Sequence, residues 1–272
     1  MNPRRASRLL AIAALFLTAV LLAGCSGGSS AAPPAGTVIA ERLRTEIIRE
    51  LPHDPTAFTQ GLEISGDTLY ESTGRVGQSW VRATLLDSGA ELARADLMPP
   101  LFGEGITVTG DTLWQITWKN GVAIARDRTT LAQQRQVHYN GEGWGLCAQA
   151  DRLVMSNGSD ALAFRDPVSF DVIGSVDVTL DGRPIDRLNE LDCNSDGFVY
   201  ANVWTTDQIV KIDPTTGVVA AQIDASNLED ALPSDQRDGI DVLNGIAQVP
   251  GTDRFLVTGK LWPRMFEVRF VS

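Results

Sequence analysis

Five times along the 272-residue chain, a glycine or glutamate followed by an aliphatic residue opens a short apolar run. The steps are Gly61-Leu62, Gly105-Ile106, Gly145-Leu146, Glu190-Leu191 and Gly245-Ile246. Each is answered, one turn later, by a second apolar run: Asp67-Thr68-Leu69-Tyr70, Asp111-Thr112-Leu113-Trp114, Asp151-Arg152-Leu153-Val154, Gly197-Phe198-Val199-Tyr200 and Asp253-Arg254-Phe255-Leu256. Copies lie about 40 to 55 residues apart, the period of one four-stranded propeller blade. The repeat therefore predicts an all-β fold, a five-bladed β-propeller over residues 41–272 with a central channel. The first strand of every blade lines that channel, so residues beside the five steps share one site.

Turn signals separate the runs, among them Ser65-Gly66-Asp67, Thr109-Gly110-Asp111, Asn157-Gly158 and Thr216-Gly217. Asn157-Gly158 is expected to form a type I′ turn between Arg152–Ser156 and Ala161–Phe164. Ala225–Ala231 reads as a short helical insert, and Thr45–Arg49 as a strand that completes the last blade and closes the ring.

Residues 1–24 read as a signal peptide. Arg4, Arg5 and Arg8 precede the apolar stretch Leu9–Leu22, which is short for a membrane span. The stretch runs into Leu21-Leu22-Ala23-Gly24-Cys25, the pattern of a bacterial lipoprotein signal, with Cys25 lipidated and residues 25–40 a flexible linker. The alternative is a secretory signal cleaved near Ala23 with Cys25 free. The lipoprotein reading places an exported domain at the bacterial cell envelope, periplasmic or on the outer face, touching the membrane only through its anchor. The first 24 residues hold three of the 23 basic residues and none of the 34 acidic ones, leaving a net charge near −14. That acidity argues against nucleic acid and suits a substrate bearing an ammonium group. A monomer is expected.

Beyond Cys25 only Cys147 and Cys193 remain, at equivalent places in the third and fourth repeats. In an exported protein they form either a disulfide or two buried thiols. His53 and His138 are the sole histidines, so no zinc site is expected. Beside the steps lie Phe58, Gln60, Phe102, Glu104, Trp144, Asn189 and Asn244, followed on neighbouring runs by Trp118, Trp204, Lys260 and Trp262. Such polar groups cost energy to desolvate unless they bind something, so the set predicts a small-molecule pocket rather than inert packing.

At these residues the chain resembles the plant-type, metal-independent glutaminyl-peptide cyclotransferases. The stretches are Pro52–Gly61 (PHDPTAFTQG), Tyr70–Gly74 (YESTG), Phe102–Gly105 (FGEG), Gly143–Leu146 (GWGL), Arg187–Leu191 (RLNEL), Ala201–Asp207 (ANVWTTD), Asp241–Ala247 (DVLNGIA) and Val257–Pro263 (VTGKLWP). It departs at Glu142, where the family usually carries aspartate. The resemblance implies conversion of an N-terminal glutamine to pyroglutamate with release of ammonia, without a cofactor. It implies a pocket of Phe58, Gln60, Phe102, Glu104, Trp118, Trp144, Asn189, Trp204 and Lys260. Glu104 is expected to shuttle the proton, with Lys260, Asn189 and an indole N–H stabilising the oxyanion. Two other functions fit a propeller: a non-catalytic, lipid-anchored binding module, and a lactonase-type enzyme with a calcium ion among Glu104, Asn189, Glu190 and Asn244.

Overall fold

The five steps owe their small residues to crowding at one axis. In the computed structural model, which describes residue 36 and residues 38–272, each step presses on the next. A Cβ on Gly61 would lie 2.8 Å from the Ile106 nitrogen, one on Gly105 2.5 Å from the Leu146 nitrogen, and one on Gly145 2.1 Å from the Asn189 oxygen. The fourth step carries glutamate instead, because its side chain reaches across the axis. Glu190 is fully buried and accepts from the Leu62 nitrogen at 3.1 Å and the Ile246 nitrogen at 2.8 Å. The expected signal peptide and Cys25 lie outside the described residues.

Around the axis the chain is all-β. The strands Thr59–Ser65, Gly103–Thr109, Leu146–Ala148, Leu188–Cys193 and Leu243–Gln248 touch one another in a closed cycle. Each opens a group of antiparallel strands running outward. Three groups are separate four-stranded sheets, starting at Thr59–Ser65, Gly103–Thr109 and Leu146–Ala148. Burial falls off outward: Gly103–Thr109 is buried over most of its length, whereas Gln133–His138 at the outer edge of the same sheet is mostly exposed.

The other two groups are joined, through the N-terminal strand Glu41–Pro52, in one eight-stranded sheet. That strand is longer than the Thr45–Arg49 the sequence suggests. This strand pairs antiparallel with Arg264–Val271, from Arg44 opposite Val271 to Pro52 opposite Arg264. Its first residues also pair parallel with Val219–Asp224, so one strand bridges two groups. The insert after Val219–Asp224 forms the helix Ser226–Ala231 and a 3₁₀ turn, Ser234–Gln236.

The apolar core fills the seams between consecutive groups. Tyr70, Val81 and Ala83 of the first meet Ile106 and Leu113 of the second. Trp114 and Ile116 meet Leu146 and Leu153 of the third. Val154 and Leu162 meet Leu191 and Val210 of the fourth. Ile209 and Ile223 meet Ile246 and Phe266 of the last, which returns through Ala247 and Leu256 to Leu62 and Ile64 of the first. Cys147 and Cys193 lie in the seam between the third and fourth groups and are disulfide-bonded.

One turn differs from expectation. Residues 156–160 join Leu153–Met155 to Ala161–Arg165, and only Gly158 has positive φ (+82°). Asn157 forms no type I′ pair. Its side-chain oxygen accepts from the Ser159 nitrogen at 3.1 Å, a local side-chain turn that replaces the backbone one. Gly158 is needed for space, since a Cβ there would lie 2.6 Å from the Trp144 ring. A small hairpin, Thr179–Leu180 with Arg183–Pro184, has no counterpart in the sequence reading.

Candidate active site

In an antiparallel group the start of the first strand and the end of the second fall at the same end of the sheet. Phe58, Phe102, Trp144 and Asn189 stand at or just before first strands; Trp118, Trp204 and Lys260 stand just after second strands. All seven meet Gln60 and Glu104 around one cavity of about 320 Å³ at that end of the axis. Every residue expected in the pocket lines it, and Arg75 and Asp241 join them.

The walls are aromatic. Phe102 lies edge-on to Phe58 at 6.3 Å and against Trp118 at 5.4 Å, while Trp144 and Trp204 meet edge-to-face at 5.4 Å. The floor is polar. Glu104 is 3% exposed, and its carboxylate accepts from the Gln60 amide nitrogen at 2.8 Å. Gln60 in turn accepts from Asn244 at 3.4 Å. Burial pushes the Glu104 carboxyl well above the usual range, with Lys260 and the Gln60 bond opposing and Glu142 adding to the rise. Burial likewise lowers Lys260, against the pull of Glu104 and Asp241. Its ammonium nitrogen sits 4.9 Å from the Phe58 ring centroid. The floor thus disfavours charge on both groups, a setting suited to moving a proton rather than holding an ion pair.

Glu142 carries a role that sequence reasoning missed. One of its carboxylate oxygens accepts from the Trp118 indole nitrogen at 2.8 Å and from the Trp144 indole nitrogen at 3.0 Å. Both indoles are therefore fixed from the rim, and their N–H groups are committed. This narrows the expectation that an indole N–H faces an oxyanion to Trp204, which is 39% exposed.

Next to the pocket segments, His53 ties two of them together. Its side chain is 2% exposed. One ring nitrogen meets the Trp262 carbonyl at 2.6 Å, and the other meets Glu71 at 2.8 Å. Burial alone would lower its pKa, but the Glu71 charge and both hydrogen bonds push it up. Glu71 also accepts from the Thr59 hydroxyl at 2.8 Å and from Arg82 at 3.0 Å. The strand carrying Gln60 and the turn carrying Lys260 thus share one buried charge network. Among the described residues, no three His, Cys, Asp or Glu side chains gather to hold a metal ion. Glu190, with both oxygens on backbone N–H groups, serves the axis rather than the pocket.

An all-β ring whose axis ends in an aromatic-walled cavity over a buried carboxyl and lysine defines a propeller-like protein. The β-propeller domain of Cps50 (Swd1) from Myceliophteria thermophila shares this fold, with a TM-score of 0.51 at 10% identity over 84% of this chain and 100% of that one. The family model for glutamine cyclotransferase matches residues 17–270, and the chain belongs to that family. A glutaminyl-peptide cyclotransferase of Arabidopsis thaliana is 38% identical over 226 residues, 82% of this chain and 70% of that protein. The crystal structure of Myxococcus xanthus glutaminyl cyclase superposes with a TM-score of 0.79 at 41% identity, covering 85% of this chain and 98% of its own.

Proposed function

We propose that the chain is a glutaminyl-peptide cyclotransferase built as a five-bladed β-propeller, exported and held at the cell envelope by lipid on Cys25. The buried Glu104–Gln60 pair in an indole-walled cup, within a chain of this family, carries the reading. The closed cycle of five inner strands supports the blade count.

The reaction is an internal aminolysis. The substrate's α-amine forms a bond to its own side-chain amide carbon, a five-membered ring closes, and the C–N bond to the amide nitrogen breaks to release ammonia. An α-amine has a pKa of about 8, so about a tenth of it is already neutral at pH 7 and no strong base is needed. The work lies in folding a flexible side chain back on the amine and in making ammonia leave. An aromatic slot holding that folded conformer supplies several kcal/mol, on the order of what near-attack positioning provides. Glu104 takes the proton from the attacking amine and returns it to the departing nitrogen, and its raised pKa suits both halves. Asn189 and Lys260 face the carbonyl oxygen as its charge develops.

Incubation of the purified protein with a Gln-initiated peptide tests the reading. Mass spectrometry is expected to show loss of one ammonia and a blocked N-terminus. An unchanged peptide at high enzyme concentration would overturn it.

A further inference from the structure

We propose that Arg75 forms a carboxylate subsite at the pocket mouth, selecting substrates with a carboxylate on the residue after the glutamine. This rests on the cyclotransferase reading for its biological meaning, but the subsite itself is a matter of binding.

Four cations stand on or beside the pocket; two are ion-paired, and a third is buried in the field of two carboxylates. Lys119 lies 3.6 Å from Glu142, and Arg187 3.5 Å from Asp186. Lys260 sits in the field of Glu104 and Asp241. Arg75 differs. Its guanidinium stacks over the Phe58 ring at 4.4 Å, and among the described residues no carboxylate lies within ion-pair distance of it. A guanidinium on an aromatic face keeps its planar fork of donors free, the geometry that takes a carboxylate in two parallel bonds.

The backbone holds this cation in place at a cost. Arg75 has φ of +79°, a left-handed conformation unfavourable for a side chain of its size. The strain is held by its carbonyl, which accepts from the Gln78 nitrogen at 2.9 Å and the Ser79 hydroxyl at 2.8 Å. The preceding Gly74 donates to the Phe58 carbonyl at 2.9 Å. Loop and ring are thus locked together, so the guanidinium is positioned rather than free to wander. Strained residues of this kind gather where a side chain must be aimed.

The order of groups along Phe58 gives the substrate its direction. Lys260 contacts this ring from the buried side, next to Glu104, while the exposed Arg75 contacts it from the mouth. A glutamine side chain folded over Glu104 leaves its own carbonyl and the next residue pointing outward past Arg75. The chemistry recognised there is a carboxylate. It has two sources: the C-terminal carboxylate of a dipeptide, or an acidic side chain at the second position.

The test uses products, so that binding is read without turnover. Quenching of pocket tryptophan fluorescence gives Kd for pyroglutamyl-alanine against its C-terminal amide, and for pyroglutamyl-glutamate amide against pyroglutamyl-glutamine amide. The native protein is expected to bind the acid of at least one pair roughly fivefold to tenfold more tightly. The pair that responds identifies the source. Arg75→Ala is expected to bring that ratio close to one, and Arg75→Lys to leave an intermediate ratio because lysine lacks the fork. Ratios are taken within one variant, so partial misfolding cannot imitate the result. No preference in the native protein, no binding by any of the four, or a preference that survives Arg75→Ala would each overturn the proposal. Turnover of glutaminyl-alanine amide, followed by ammonia release, is measured in parallel. Its absence alongside an Arg75-dependent ratio would sink the cyclotransferase reading and leave the subsite standing.

Discussion

Glu104 is the residue at which burial and chemistry meet. A carboxyl held 3% exposed, with its pKa well above the ordinary range, is protonated at pH values where a surface glutamate is already ionised. Once protonated it cannot accept a proton from the attacking amine. The acid limb of kcat/KM is therefore expected to fall at a pH clearly above 4.3, the value of a free glutamate. Glu104→Gln should cost about 10²- to 10⁴-fold in kcat, as loss of a proton shuttle does, and leave only the acid limb set by the substrate amine. A pH profile of the variant with native rate and shape would exclude Glu104 from the mechanism. Glu142 acts one step removed, through the two indoles it fixes. Glu142→Ala is expected to raise KM roughly tenfold while lowering kcat less, because it loosens the walls and acts on Glu104 only through the smallest of the influences on its pKa. These two glutamates also mark what the sequence could yield. Glu104 was legible because a carboxylate beside a repeat step, in the company of aromatics and a lysine at the other steps, is costly to bury idle, and because Phe102–Gly105 is one of the stretches that carry the resemblance. The role of Glu142 was not, since its partners lie 24 and 2 residues away and only the folded ring brings one oxygen to both.

Among elements, the inner strands were the most legible and the connections the least. A glycine step recurring at regular spacing has one physical cause, close approach of neighbouring backbones, so the repeat reported the axis directly. The connection at residues 156–160 misled because Asn-Gly predicts a backbone turn only where no side chain offers an alternative. Here the Asn157 oxygen does, and the glycine makes room for Trp144. The link between the third and fourth inner strands shows what such elements contribute to stability. Cys147 and Cys193 close a loop with a sequence separation of 46 residues. Loop-closure entropy of that size corresponds to about 4 kcal/mol at most. The double variant Cys147→Ser, Cys193→Ser is expected to lose about 2–4 kcal/mol in urea unfolding, with its midpoint matching that of reduced native protein. An unchanged midpoint would assign the seam's stability to apolar packing alone.

At the scale of the whole molecule, stability depends on closing the ring and on keeping its axis neutral. Ring closure rests on Glu41–Pro52, whose pairing with two different groups could not be read from Thr45–Arg49, because a parallel partner so distant in sequence leaves no local pattern. The axis poses the opposite problem, three acidic side chains drawn inward, Glu190 and Asp192 buried and Glu63 half-buried. Glu63 and Asp192 each directly follow a step, on strands that meet at the axis. Burial, reinforced by Asp192, pushes Glu63 up to about 8, and burial pushes Asp192 up to about 7. Glu190 is raised as well, although both its oxygens accept backbone N–H groups. In the unfolded chain such carboxyls ionise near 4, so between about pH 4 and pH 8 the folded state holds more protons than the unfolded one. Stability must then fall as pH rises. The contribution is fully present below about 4 and is lost as pH passes through 7 and 8. Thermal unfolding of the native protein is therefore expected to show Tm declining from pH 5 to pH 9. In Asp192→Asn, where one axis charge can no longer form, the decline should be shallower and the variant should gain on the native protein at pH 8 relative to pH 5. Parallel Tm curves for the two would mean that the axis acids are ionised at low cost, and that solvent or an ion reaches them in the folded state.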